Sequence, residues 1–417
     1  MYSMVLKPLV ACPTIMTDEL GIKQDFEIYS KNPDLVYLDS ASTTLVPKTA
    51  VAATADFLNY VVVSTRRGAH SLAVKGGAIV EDVRGSLAQF LNTEKSQISF
   101  QKSVPSAVAS LVYGYDWKTT DKNKIIIAQS EENSVLVSIL RAAEVLGLTV
   151  EIIPIDSDGV MPLDALDTAI DDETGIVAVG HVTPGLGLFN PIRKVSKIAQ
   201  KRDALLLTDA TRSVGFDGSI SSLGSDILIF SANVGFMGPP GLTIQWIDKS
   251  LGERIRPGIL GGSAVSDVQT KSFEPALQPD KFERGYLNVP AIAGLGASLE
   301  YLTNLYSNGF HSHVKALSKH MNGRLQEVPG IVKYGKSNDE TTIFGFNLSP
   351  EVVNCHDIAL FLDESNVAVR SGLICAHPSV QAMADDGIIQ ASLHAYNSIA
   401  DIDHLIDTLT VISNQLL

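Results

Sequence analysis

The sequence predicts an α/β protein, a mostly parallel sheet covered by helices on both faces, joined to a smaller α+β unit at the C-terminal end. Three observations predict it. From about residue 85 short apolar runs alternate with amphipathic stretches, which is the βαβ rhythm of a parallel sheet. The runs are mostly apolar rather than alternately polar, as strands buried on both faces require. Around Pro290 the texture changes to long helices and then to short strands.

The apolar runs are Ile125 to Ala128, Val150 to Ile155, Gly175 to Val179 and Ala204 to Thr208. Helical stretches such as Ser138 to Leu146 and Ile192 to Arg202 lie between them. Ile227 to Phe230 and Leu242 to Trp246 form a strand pair around the Gly/Pro-rich turn Ser231 to Gly241. A small-residue helix with Ala291, Ala293, Gly294, Gly296 and Ala297 follows Pro290, then an amphipathic helix from Ser312 to Gln326. A strand at Thr342 to Phe346 and a closing helix from Ile399 to Leu416 complete the chain. The expected divisions are an N-terminal arm over 1–34, a large domain over 35–290 and a smaller domain over 291–417.

With 417 residues, 45% hydrophobic and 19% charged, the composition is that of a folded protein with a large core. A net charge of -14 argues against binding nucleic acid or an anionic membrane, both of which present phosphate. No segment reaches the roughly 18 unbroken apolar residues of a membrane span. Met1 to Cys12 reads as a packing arm rather than a signal peptide. The three cysteines, Cys12, Cys355 and Cys375, are too few and too scattered for a disulfide framework or a metal site. A reducing, cytoplasmic compartment is expected.

Several ordered motifs carry a resemblance. Val36 to Thr44 is similar to Y-L-D-N-A-A-T-T, Arg67-Gly68-Ala69-His70 to R-G-x-H, and His181 to Gly187 to H-V-S-N-x-x-G. Thr208 to Val214 is similar to V-D-A-T-Q-S-V, Arg370 to Pro378 to R-x-G-x-x-C-A-x-P, and Ala391 to Asn397 to the A-S-x-x-x-Y-N ending. From about residue 35 onward the chain resembles the fold-type I pyridoxal-phosphate (PLP) enzymes, class V aminotransferase branch, and within it the cysteine desulfurases and selenocysteine lyases. The resemblance implies a large domain with a mostly parallel seven-stranded sheet, a small α+β C-terminal domain, and a homodimer with its sites at the interface.

The resemblance also locates departures. The family's lysine, which holds PLP as an imine, follows S-G-H, and there this chain has Asn233, Val234 and Gly235. No lysine occurs between Lys201 and Lys249. The phosphate-binding Thr-Thr pair corresponds to Val104 and Pro105, with Ser103 or Ser106 as partial substitutes. The ring-stacking His corresponds to Glu132, the Asn and Gln near the ring oxygen to Pro184 and Arg212, and the cross-dimer Thr to Tyr286. Among the cofactor contacts Asp209 alone is retained. On this count no cofactor is expected.

The substrate side is better kept. Arg370 matches the arginine that grips an amino-acid carboxylate, His70 the substrate-side histidine, and Cys375 the sulfur-accepting nucleophile. Free cysteines are more often buried small hydrophobes, which is the expectation for Cys12 and Cys355. Glu132, Asp209, Arg212, Asn233 and His181 define a degenerate PLP pocket, either filled by their own charge network or reshaped for a small anionic or amino-acid ligand. The leading expectation is a pseudoenzyme acting as a binding, scaffolding or sulfur-accepting homodimer, or as the silent partner of an active paralogue. The alternative is an active desulfurase, lyase or aminotransferase holding PLP without the usual lysine, or through another such as Lys102.

Overall fold

Apolar runs need cover on both sides, and the inner strands of the sheet have it, whereas the edge strand Thr149–Ile153 is buried only at Ile153. The structure, a computed structural model, describes residues 20–65, 68–336, 340–349 and 352–416, and only the backbone at 219–221 and 253. Met1 to Cys12 of the arm and Arg67 of the R-G-x-H stretch lie outside the described residues. Seven strands, β1 (Ile98–Gln101), β2 (Lys124–Ala128), β3 (Thr149–Ile153), β4 (Thr174–Ala178), β5 (Leu205–Asp209), β6 (Ile227–Ser231) and β7 (Thr243–Ile247), lie in the order β1-β7-β6-β5-β4-β2-β3. Only β7 runs against its neighbours.

Alternate residues of β2 serve opposite layers. Ile125 and Ile127 pack with helices α1 (Val104–Gly114) and α2 (Asn133–Leu146). Ile126 and Ala128 face the helices Leu163–Ala169 and Ile192–Gln200. This two-sided burial is why the run carries no polar residue. Ser103 caps α1 by accepting from the Ser106 N–H at 3.3 Å, with Pro105 in the first turn where its missing donor costs nothing.

Strand β6 ends in a single helical turn, α3 (Ala232–Gly235). The long helix α4 (Val289–Ser307) lies against the helices Lys48–Tyr60 and Ser71–Phe90. Its glycines permit this closeness: a Cβ on Gly296 would meet Val83 at 2.7 Å, and one on Gly294 would collide with the Thr54 hydroxyl. The small-residue character of α4 thus serves packing within the chain.

Helix α5 (Phe310–Leu325) leads into an antiparallel sheet of β8 (Ile331–Tyr334), β9 (Ile343–Leu348), β10 (Arg370–Gly372) and β11 (Ile388–Ser392), ordered β8-β9-β11-β10. The closing helix α6 (Ile399–Leu416) shares a core with this sheet and α5. Val36–Tyr37 pairs in parallel with Val367–Ala368. Lys23 forms an ion pair with Asp401 of α6 at 2.8 Å, and Phe26 packs edge-on against Tyr396. Among the described residues no helix is long and apolar enough to cross a membrane.

Candidate functional site

In an open parallel sheet, ligand-binding groups collect beyond the carboxyl ends of the strands. Here β1 leads to Lys102 and Ser103, β2 to Glu131 and Glu132, β5 to Thr211 and Arg212, and β6 to Asn233 and Val234. With Ser42 and Arg370 from the other side, most of these enclose a cavity of about 310 Å³. Among its lining residues Lys102, Arg212 and Arg370 are cationic and Glu132 is anionic, so the wall is net positive in a chain of charge -14.

The β6 end of the cavity is set by α3. Val234 is 9% exposed and presents its hydrocarbon to the cavity. Asn233 fixes the turn to the N-terminal segment: its carbonyl accepts from the Thr44 N–H at 2.8 Å, and its amide donates to the Thr43 hydroxyl at 3.2 Å. Behind the turn, a Cβ on Gly215 would meet the Gly235 carbonyl oxygen at 1.8 Å, so only glycine lets the two backbones pass.

A buried charge network crosses the cavity wall. Arg212 donates from Nη1 to Glu132 Oε2 at 2.8 Å, and Ser134 donates to Glu132 Oε1 at 3.1 Å. Burial works to raise the Glu132 carboxyl, but Arg212 outweighs it and leaves the group below its ordinary range. Asp209 accepts from the Thr211 N–H at 2.8 Å, closing a turn at the end of β5. Burial, then the Glu132 charge, pushes Asp209 up to about 6. Glu131 accepts from the Gly180 N–H, and burial pushes it to about 8.

Arg370 donates from Nη1 to Ser42 Oγ at 2.9 Å and from Nη2 to Cys375 Sγ at 2.8 Å. Ser42 in turn donates to Asp39 Oδ1 at 2.6 Å. Burial raises the Asp39 carboxyl, opposed by the Ser42 bond and Arg370. The half-buried Cys375 sits in a strained loop, with Ile374 and Cys375 at φ of 51° and 52°. The Asn133 N–H at the start of α2 donates to the Cys375 carbonyl at 2.7 Å, holding that conformation. Cys355 is buried at 3% exposure, as a structural thiol.

Of the residues singled out in the sequence, Glu132, Arg212, Asn233, Val234 and Arg370 come together at one cavity, with Cys375 bonded to Arg370 and Asp209 one layer behind. His70 and His181 do not line it. His70 is exposed and caps the helix Ser71–Phe90 by accepting from the Ala73 N–H at 3.2 Å. His181 packs edge-on against Phe189, its backbone N–H donating to the Asp209 carbonyl at 2.8 Å, and burial lowers its basicity. Ser42, Ser134 and Thr211 also line the cavity, although no charge or spacing marks them in the sequence. Among the described residues no cluster of three His, Cys, Asp or Glu side chains could hold a metal ion.

Residues 36–405 match the family model for class-V aminotransferases. The chain belongs to that family. A protein named probable cysteine desulfurase from Methanothermobacter thermautotrophicus is 30% identical over 385 residues, covering 91% of this chain and 95% of the relative. The apo structure of a cysteine desulfurase from Thermococcus onnurineus superposes with a TM-score of 0.88 at 26% identity, covering 96% of this chain and 99% of that one. A second solved structure shares the fold at a TM-score of 0.80 and 18% identity, covering 93% of this chain and 98% of that one. It is a lysine-to-alanine mutant of C-DES with glycine covalently linked to its PLP cofactor.

These findings make the chain desulfurase-like within a PLP fold, and they correct the expectation of no cofactor. That expectation rested on the missing lysine and the altered contacts. The C-DES mutant retains PLP with a lysine replaced by alanine, so replacing a lysine does not by itself exclude PLP from this fold. The physical reason is that a phosphate and a ring are also held by charge, hydrogen bonds and cavity shape.

Proposed function

We propose that this desulfurase-like protein takes PLP into the 310 Å³ cavity without a covalent link and has left desulfurase turnover, serving as a sulfur-accepting or scaffolding pseudoenzyme. The observation that carries this reading is Val234 in the cavity wall, a side chain without an amine, at the turn the sequence motif assigns to the lysine. The remaining residues fit the group. Lys102 and Ser103, at the start of α1, would hold the phosphate, and Arg212 and Arg370 add positive charge around an anionic ligand. When bound, PLP supplies an electrophilic carbonyl and an electron sink for amino-acid chemistry.

Around it, this chain's groups bind and orient. Arg370 can take a carboxylate in its planar fork, releasing Ser42 and the thiol it now holds. Cys375 is the group that would accept sulfur, and its loop keeps the sulfur next to Arg370. Glu132 stays charged through Arg212, so it holds no proton to give at neutral pH. The same reading makes the protein a cytoplasmic homodimer or the silent partner of an active paralogue.

The test is equilibrium dialysis and an absorbance spectrum with and without PLP, followed by borohydride reduction and intact mass. Saturable binding with no retained pyridoxyl mass, and no sulfide release from cysteine, is the expected result. A retained mass would overturn it. Lys102 lines the same cavity, and a mass mapped there would favour the second reading, an active enzyme using a displaced lysine.

A further inference from the structure

Behind Val234 lies a second cavity of only about 10 Å³, between Arg212, Phe216 and Val234 of the large domain and Thr342, Ile343 and His394 of the small one. That volume accommodates about one water molecule. Ala41, Arg212 and Val234 line both cavities and form the partition between them.

Two residues that line this small cavity carry buried polar groups without a hydrogen-bond partner. One is Arg212 Nε, on a side chain 7% exposed whose Nη1 is engaged by Glu132. The other is the His394 imidazole, 0% exposed, with both ring nitrogens unpaired. The ring stacks on Tyr396 at 5.3 Å and is flanked by Phe216 and Phe310. Burial holds it neutral, with its pKa lowered to about 3, so one nitrogen keeps an accepting lone pair. Leaving such groups unpaired in the interior forfeits their hydration with nothing in return. Ser40 and Ser392 also line the space, and their hydroxyl oxygens can accept a further bond.

We propose that this cavity is a binding site for one internal water, which accepts from Arg212 Nε–H and donates to a ring nitrogen of His394. Its second proton goes to Ser40 or Ser392, giving the three bonds usual for buried water. His394 is then a positioning residue: through the water it holds the back of Arg212 while Glu132 holds the front. The bridge ties the small domain, where His394 follows β11, to the wall of the ligand cavity.

A high-resolution crystal structure of the full chain, with and without His394→Phe, tests this, together with exchange of the Arg212 Nε–H by nitrogen-15 NMR. The expected result is a single solvent peak within hydrogen-bond distance of Arg212 Nε and His394. In His394→Phe, which keeps the aromatic packing, the peak is lost and the Arg212 Nε–H exchanges at least about tenfold faster, as expected for one lost bond to a charged group. His394→Asn, which restores a polar end, should recover slow exchange. No peak in the wild type, or a peak and exchange rate unchanged in His394→Phe, overturns the proposal. Should His394→Phe fail to fold, the wild-type peak and the His394→Asn exchange rate decide.

Discussion

Arg212 Nη1 lies 2.8 Å from Glu132 Oε2, joining the carboxyl ends of β5 and β2 across the intervening β4. The Arg212 side chain is 7% exposed and that of Glu132 20%. An ion pair this far from water is worth little as a net gain, yet losing one member is expensive because the other charge stays buried. The pair is therefore a fixed feature of the cavity wall.

Glu132→Ala should destabilise the protein by about 2–4 kcal/mol, since it strands Arg212. The double change Glu132→Leu with Arg212→Met should cost less than Glu132→Ala alone. Urea denaturation of the variants checks both statements, and a smaller loss in the single variant would contradict this account.

Val234→Lys places an amine between the two cavities. In the presence of PLP it should give a near-visible absorption band and, after borohydride, a mass gain of about one pyridoxyl group per chain. The unmodified protein, treated in the same way, should show no mass gain. Spectra and intact mass recorded side by side provide the check.

Glu131 sets a pH dependence of stability. Its folded pKa, about 8, lies above the ordinary 4.5, so between these values the folded state holds a proton that the unfolded state has released. Stability therefore falls as pH rises through this window, by about 1.4 kcal/mol per unit. His394, lowered from 6.5 to about 3, contributes the opposite slope, but only below pH 6.5. The clean interval is pH 6.5 to 8. There Glu131→Gln, which keeps an acceptor for the Gly180 N–H, should flatten the curve of unfolding free energy against pH.

Gly215→Ala drives a methyl group into the Gly235 carbonyl at the back of α3. A loss of about 2–4 kcal/mol is expected, with the Val234 wall displaced. Chemical denaturation measures the first effect, and a crystal structure of the variant measures the second.

Much of the fold was legible in the sequence. Ile125 to Ala128 reveals a parallel strand because two-sided burial leaves no place for a polar residue. Motifs singled out Arg370, Cys375 and the lysine-free turn at Val234, and the structure brings Arg370 and Val234 to one cavity with Cys375 bonded to Arg370. A place at this cavity was not legible for His70 and His181: a histidine in a matching motif looks the same whether it caps a helix, packs on a phenylalanine or lines a cavity.

By itself the sequence determined the layered α/β architecture, the family, and the absence of an amine at Val234, since each of these is written in local residue order and periodicity. Tertiary structure alone decided that Glu132 meets Arg212 across 80 residues of chain, and that Cys375 rests on Arg370. It also decided that His394 closes a water-sized space behind the cavity wall. Such contacts depend on how strands are ordered and how distant elements abut, and no local pattern records a distance between residues that only the folded chain brings together.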